Sequence, residues 1–380
     1  MLRLSHFVIN RLFSIAVVII TSMMVISCNH QNREMQNDTV SSDQQLFYVG
    51  TYTGGESKGI YKYALNEKGE LENLGIVAET INPSYLALSK DGKSLVAVNE
   101  KDLGTITAFK IQGDSLIHQD QVSSGGIHPC FVTINERNEI LVANYSSGTV
   151  SLLTLEENGS LSDLKFIEQH TGKGTTDRQQ GPHAHSAYFL PDSKQQVVTV
   201  DLGTDELWFS ELQNDKMIIT DTLAMGPGAG PRHLAFHATK PIIYVLNELN
   251  NTISLVKKNK DTYELGQSYS TLPEGFNGFS KAADIHLSPD GKFLYASNRG
   301  RNSIVIYRVL DNGSLKQIGF ESTRGQDPRN FSLSPDGNFV LVANQNSNNI
   351  VCFQRDSSTG KLSFLNDVEA PEPVCILFEN

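Results

Sequence analysis

Three features of the amino-acid sequence predict an all-β chain folded as a seven-bladed β-propeller of four-stranded antiparallel blades. A strand–turn–strand unit recurs through residues 46–380 at intervals of about 45–53 residues, the spacing of propeller blades. Asp-Gly pairs mark the hairpins of its clearest copies, and no amphipathic helical pattern interrupts the run. The two ends of the region are partial units that complete each other.

The first residues stand apart from this repeat. Met1 to Ser27 carry Arg3 and Arg11 but no acid, then an apolar run Ile15–Ile20 and Met23-Met-Val-Ile-Ser27, and Cys28 follows directly. A charged start, an apolar middle and small residues at the cut describe a secretory signal peptide over residues 1–27. Val25-Ile26-Ser27 before Cys28 resembles a bacterial lipobox, which predicts lipidation at Cys28 and an exported lipoprotein of the bacterial cell envelope, on its periplasmic side or at the cell surface. The alternative is a single spanning anchor, but the apolar run is shorter than the ~20 residues that cross a bilayer. Residues 28–45 are polar and almost free of apolar side chains, the composition of a flexible tether.

The repeat itself is clearest in Pro328-Arg-Asn-Phe-Ser-Leu-Ser-Pro-Asp-Gly-Asn-Phe-Val-Leu-Val-Ala-Asn-Gln345. A short strand leads into an Asp-Gly hairpin, and a second apolar strand ends in Asn. The pairs Asp91-Gly92, Asp290-Gly291 and Asp336-Gly337 supply the positive φ that such tight turns need. Third strands follow with β-branched residues, as in Thr105–Phe109 and Ser303–Tyr307. Units starting at Pro83, Pro129, Pro182, Pro231, Ala283 and Pro328 give six full blades. Pro373–Asn380 is a lone first strand, whereas Leu46–Thr51 and Gly59–Leu65 are second and third strands lacking a first. Joining these ends closes the ring and removes exposed strand edges.

Composition narrows the function. A formal charge of −11 opposes a nucleic-acid partner, whose phosphates call for clustered Lys and Arg. Cys130, Cys352 and Cys375 lie among apolar strand residues and read as buried free thiols. No phosphate loop or CxxC is present, which disfavours a nucleotide enzyme.

Strand topology then selects a site. In an antiparallel blade the start of the first strand and the end of the second share one face, so the hairpins occupy the other. Residues at those starts and ends converge on one mouth of the central channel. The starts bring His183, His185, Arg232, His233, Asp284, His286, Arg329 and Asn330. The ends bring Glu100, Tyr145, Asp201, Glu248, Arg299 and a repeated Asn that reads as a loop cap. Arginines converging near one axis repel unless an anion or carboxylate joins them, and a guanidinium fork suits carboxylate or phosphate. Glu248 fits either a catalytic group or their ion-pair partner. His183 and His185 share a strand face at a spacing compatible with metal ligation, but no further ligand set lies nearby, which favours acid–base or hydrogen-bonding roles.

Gly181-Pro-His-Ala-His-Ser186, Gly230-Pro-Arg-His-Leu-Ala-Phe-His237, Val245-Leu-Asn-Glu-Leu249, Ala283–Lys292 and Pro328-Arg-Asn-Phe331 resemble, in order, the seven-bladed propeller lactonases. That is the cycloisomerase 2 family, with propeller-type 6-phosphogluconolactonases and fungal carboxymuconate lactonising enzymes. The resemblance spans about Leu46 to Asn380. It implies ester chemistry on a small anionic sugar lactone, with no metal or other cofactor required. By motif it implies His185, Arg232, Glu248 and Arg299 as catalytic residues, with His183, His233, His286 and Arg329 in substrate binding. Hydrolysis of a sugar lactone to its aldonic acid is the expected reaction. A carbohydrate- or protein-binding propeller without catalysis, and a muconate-type cycloisomerase, are the alternatives. Oligomeric state is left open.

Overall fold

The computed structural model describes residues 44–379, apart from positions 192, 194 and 261. The leader, Cys28 and nearly all of the tether lie outside the described residues. The described chain forms seven four-stranded antiparallel sheets, in order around a ring. Blades 1 to 6 have innermost strands Leu86–Leu88, Pro129–Ile134, Ala184–Phe189, Pro231–Phe236, Lys281–Leu287 and Pro328–Leu333. Blade 7 is composite: its innermost strand is the C-terminal Pro373–Phe378, paired with the N-terminal Gln45–Thr51. Ring closure thus follows the expectation, with the first strand starting one residue before position 46.

The second strands read as unbroken apolar runs because each is buried on both faces. In Phe339–Asn344, Phe339, Leu341 and Ala343 pack toward blade 7, whereas Val340 and Val342 pack toward blade 5. The same division occurs all round, so the hydrophobic core is not one mass but seven separate clusters, one per blade interface. Toward the axis, the rings of Tyr85, Phe131 and Tyr188 meet across blades 1 to 3, and polar side chains cluster beside them.

Turns and caps set the two faces. At the hairpin face, Ser-x-Asp-Gly turns recur: Asp91 accepts from Ser89 Oγ at 2.7 Å, and Gly92 sits at φ 66°. At the opposite face, four of the five strand-ending asparagines bolt down the loop from the preceding blade, whereas Asn247 donates to Thr252 and Ser254 of its own blade. Asn99, Asn144, Asn298 and Asn344 donate through Nδ2 to the carbonyls of Ile81, Ser124, Thr271 and Thr323. These are the loop caps expected from sequence. Cys130, Cys352 and Cys375 are free and buried, also as expected.

In blade 3 Asp201 replaces that Asn, and the bolt becomes charged. His170, in the incoming loop, gives one ring nitrogen to Asp201 Oδ2 at 2.8 Å and the other to Glu168 Oε1 at 3.2 Å. Its ring stacks on Trp208 at 4.5 Å. Burial opposes its charge, but the two carboxylates win and raise its pKa to about 9. The stabilisation is therefore complete below His170's unfolded value near 6.5 and is lost as pH rises through about 9. Replacing His170 with Ala strands buried carboxylates and is expected to cost about 3–5 kcal/mol. Urea unfolding of wild type and variant at pH 6, 8 and 10 checks this: their gap must narrow at the alkaline end.

Candidate active site

The mouth opposite the hairpins is built by one repeated irregularity. In six blades the pairing between the innermost strand and its neighbour slips just inside the strand start, leaving a bulge. The residues left out of register are Cys130, His185, Arg232, the pair Ala283–Asp284, Arg329 and Val374. In blade 1 pairing begins only at Leu86, with Ser84 ahead of it. Bulges re-aim side chains, and here they deliver one set to a common place. Ser84, Cys130, Arg232, Arg329 and Val374 line a single small cavity, together with Glu100.

Arg232 and Glu248 form the centre. Glu248, directly after strand Ile242–Asn247, accepts from Arg232 Nε at 3.1 Å and from Arg299 Nη2 at 2.8 Å. Arg178 Nη1 approaches its other oxygen at 3.8 Å. Burial favours neutral Glu248, but Arg299, Arg232 and Arg178 overcome it and hold the pKa down to about 2. Burial, and then Arg299 and Arg329, lower Arg232 to about 10, so it too stays charged near neutrality.

Arg329 differs. Its guanidinium lies over the Tyr52 ring at 5.4 Å and forms no ion pair within 4 Å among the described residues. Tyr52 in turn donates to Glu100 Oε2 at 2.8 Å. Arg329 is thus a cation of the mouth that no direct ion pair neutralises among the described residues.

The histidines fall into distinct settings. His185 is buried, its Nδ1 3.8 Å from Cys130 Sγ and its ring 5.3 Å from that of His233. Burial, then Arg232 and His233, push it well below the usual histidine value, leaving a neutral ring. His183 sits at the rim, stacked on Tyr145 at 4.4 Å. His233 and His286 both bind Asp284, at 2.7 and 2.9 Å. Burial and Arg232 lower His233 to about 4, against the pull of Asp284.

All eight residues expected from sequence therefore occupy this end of the channel. Arg232, Glu248 and Arg299 touch directly, and His185 and His233 pack beside them. His183 and His286 lie at the edges, toward Tyr145 and Phe331 respectively. His183 and His185 both flank Tyr145, at 4.4 and 5.6 Å, but His185 also meets Cys130 and His233. Sequence reasoning did not single out Tyr52, Cys130 or Arg178, and it gave no role to Glu100 or Asp284. Cys130 was detectable, since it follows its blade-start proline as Arg232 and Arg329 follow theirs. Arg178 gives no such signal: it comes from the loop between blades 2 and 3. Its neighbour Gln179 anchors that loop by donating to Asp205 Oδ1 at 2.6 Å and to the Leu202 carbonyl at 2.8 Å.

Known proteins share this fold. The family model described as Lactonase, 7-bladed beta-propeller matches residues 46–378. The 6-phosphogluconolactonase of Bacillus subtilis is 37% identical over 340 residues, spanning 87% of this chain and 97% of its own. That of Formosa agariphila is 38% identical, spanning 84% and 94%. The solved periplasmic gluconolactonase of Pseudomonas aeruginosa superimposes with a TM-score of 0.85 at 32% identity, covering 89% of this chain and 99% of its own. On sequence and on structure alike, the chain belongs to the seven-bladed β-propeller lactonase family.

Proposed function

We propose that the protein hydrolyses a sugar lactone to its aldonic acid at this arginine-lined mouth. The observation that carries the reading is the Arg232–Glu248–Arg299 cluster beside the less neutralised Arg329. It provides fixed positive charge where a carbonyl oxygen becomes an oxyanion, and a second cation for a substrate anion. The Bacillus relative bears the name 6-phosphogluconolactonase, and the Pseudomonas relative is a gluconolactonase.

In the proposed reaction, water adds to the lactone carbonyl as a general base takes its proton. The ring C–O bond then breaks, and its oxygen is protonated as the acid forms. Of the two candidate bases, Glu248 is ill suited, because a carboxylate held near 2 by arginines is a weak proton acceptor. Its role is to clamp Arg232 and Arg299. His185, neutral and not engaged by an arginine, is the remaining candidate for the base. Arg232 supports the oxyanion, and replacing it with Ala is expected to lower kcat about 10²-fold. Arg329 holds the substrate's anionic or hydroxyl groups. Its replacement by Ala is expected to raise KM about 10-fold or more, as loss of a charge-assisted bond would.

A panel of plain and 6-phosphorylated sugar lactones, followed by acid release in a pH-stat, tests the activity. No turnover of any lactone, with binding of acidic sugars retained, would instead favour a binding propeller. We further propose that the protein works outside the inner membrane, tethered through Cys28. This favours an unphosphorylated lactone, in keeping with the periplasmic description of the Pseudomonas relative. Globomycin-sensitive processing that disappears in Cys28→Ser checks the tether.

A further inference from the structure

Arg232 is held at more points than Glu248 alone provides. Its Nε goes to Glu248, and its Nη1 goes to the Ala283 carbonyl and to His233 Nε2, the last at 3.3 Å. Among the described residues, nothing accepts from its Nη2. A guanidinium has only donors, so His233 Nε2 must be the bare, accepting nitrogen of its ring. The other nitrogen, Nδ1, lies 2.7 Å from Asp284 Oδ1. An ionised carboxylate only accepts, so Nδ1 must carry the proton. Both ends of the imidazole demand the same tautomer.

Asp284 is itself fixed with unusual completeness. Oδ1 also accepts from the Ile285 amide at 3.0 Å. Oδ2 accepts from Asn330 Nδ2 at 2.6 Å and His286 Nε2 at 2.9 Å. Asn330 Oδ1 takes the Ile376 amide at 2.7 Å, which ties in the C-terminal strand. Four consecutive blades, 4 to 7, thus converge on the orientation of one carboxylate. His233 is also boxed by the rings of Phe131 at 5.6 Å, Tyr85 at 6.1 Å and His185 at 5.3 Å, which restrict it sterically.

We propose that Asp284 and His233 are positioning residues for Arg232: the carboxylate sets the tautomer of His233, whose bare Nε2 holds Nη1 and leaves Nη2 as the donor for the developing oxyanion. The inference rests on the lactonase reading and assigns His233 an indirect role in place of substrate contact. Neither residue transfers a proton in the reaction. Both act by fixing which guanidinium nitrogen remains unpaired, the outer-shell logic that also orients histidines at metal sites.

Asp284→Asn tests it with little change of shape. Three donors face Oδ2, from Asn330, His286 and the Phe331 amide, against one fixed amide, that of Ile285, on the other side, so the new amide oxygen takes the Oδ2 place and its NH2 faces His233 Nδ1. The ring then has to place its proton on Nε2, donor against donor with Arg232. The expected result is a kcat about 10²-fold lower with KM changed less than about threefold. Nitrogen-15 spectra of histidine-labelled protein, with His233 identified by its loss in His233→Gln, should show an Nδ1–H ring in wild type and an Nε2–H ring in Asp284→Asn. Full kcat in a folded Asp284→Asn protein overturns the proposal. So does an Nε2–H tautomer in the wild type, a reading that needs no variant to fold and no turnover. Failure of the lactonase reading shows separately, as a wild-type enzyme inert toward the whole lactone panel.

Discussion

Glu248→Ala should reduce kcat/KM for the lactone by at least about 10³-fold and lower stability by about 3–5 kcal/mol. Two arginines donate to the same oxygen, Arg232 at 3.1 Å and Arg299 at 2.8 Å, in a nearly water-free setting. Without the carboxylate those cations repel one another, and removing one member of a buried ionic group typically costs this much. Activity suffers further because Arg232 loses the contact to its Nε, and an oxyanion donor out of place loses about 10²–10³-fold by itself. Glu248→Gln keeps the shape but not the charge, so it should recover part of the packing and little of the rate. Steady-state kinetics and urea unfolding of both variants measure the two effects. A fully active Glu248→Ala enzyme would remove the cluster from catalysis.

Deleting residues 373–380 should abolish cooperative folding. The lost strand pairs along Gln45–Thr51 and is the innermost strand of blade 7. It gives Ile376 and Phe378 to the cluster shared with blade 6, and Cys375 to the one shared with blade 1. With buried Val374 counted, four apolar side chains at about 1.5–3 kcal/mol each approach the whole stability of a typical domain, about 5–15 kcal/mol. The truncation also bares a strand edge open to association. Size-exclusion chromatography and thermal melting should show aggregates without a transition. A soluble monomer melting near the wild-type temperature would mean that the ring holds without its clasp.

The architecture was legible because its signals are local and repeated. Asp-Gly turns such as Asp336-Gly337, second strands such as Phe339–Asn344, and the incomplete units at the two ends each carry their meaning within a few residues. Arg232 and Glu248 could be placed at one mouth by strand direction alone, and they meet there. Contacts that depend on side-chain aim were not legible. The repeat aligns His183 with Arg232, each following a proline, but the blade 3 strand starts at Ala184 and its bulge turns His185 inward instead. Arg178 reaches Glu248 from a connecting loop, where no strand pattern fixes position. Asp284 stood on the shortlist, yet its hold on His233, His286 and Asn330 comes from three different blades and has no sequence period.

The ring of bulges also bears on how such a protein changes its substrate. Six of the seven blades offer the mouth an out-of-register position or pair, filled here by groups as different as Cys130, His185, Arg232, Arg329 and Val374. Because the seven apolar clusters lie between blades and these side chains belong to none of them, exchanges here leave those clusters in place. Val374 is an uncharged occupant within reach of Arg329 across the cavity. A polar or acidic side chain introduced there would change the charge lining the cavity without redesigning a loop.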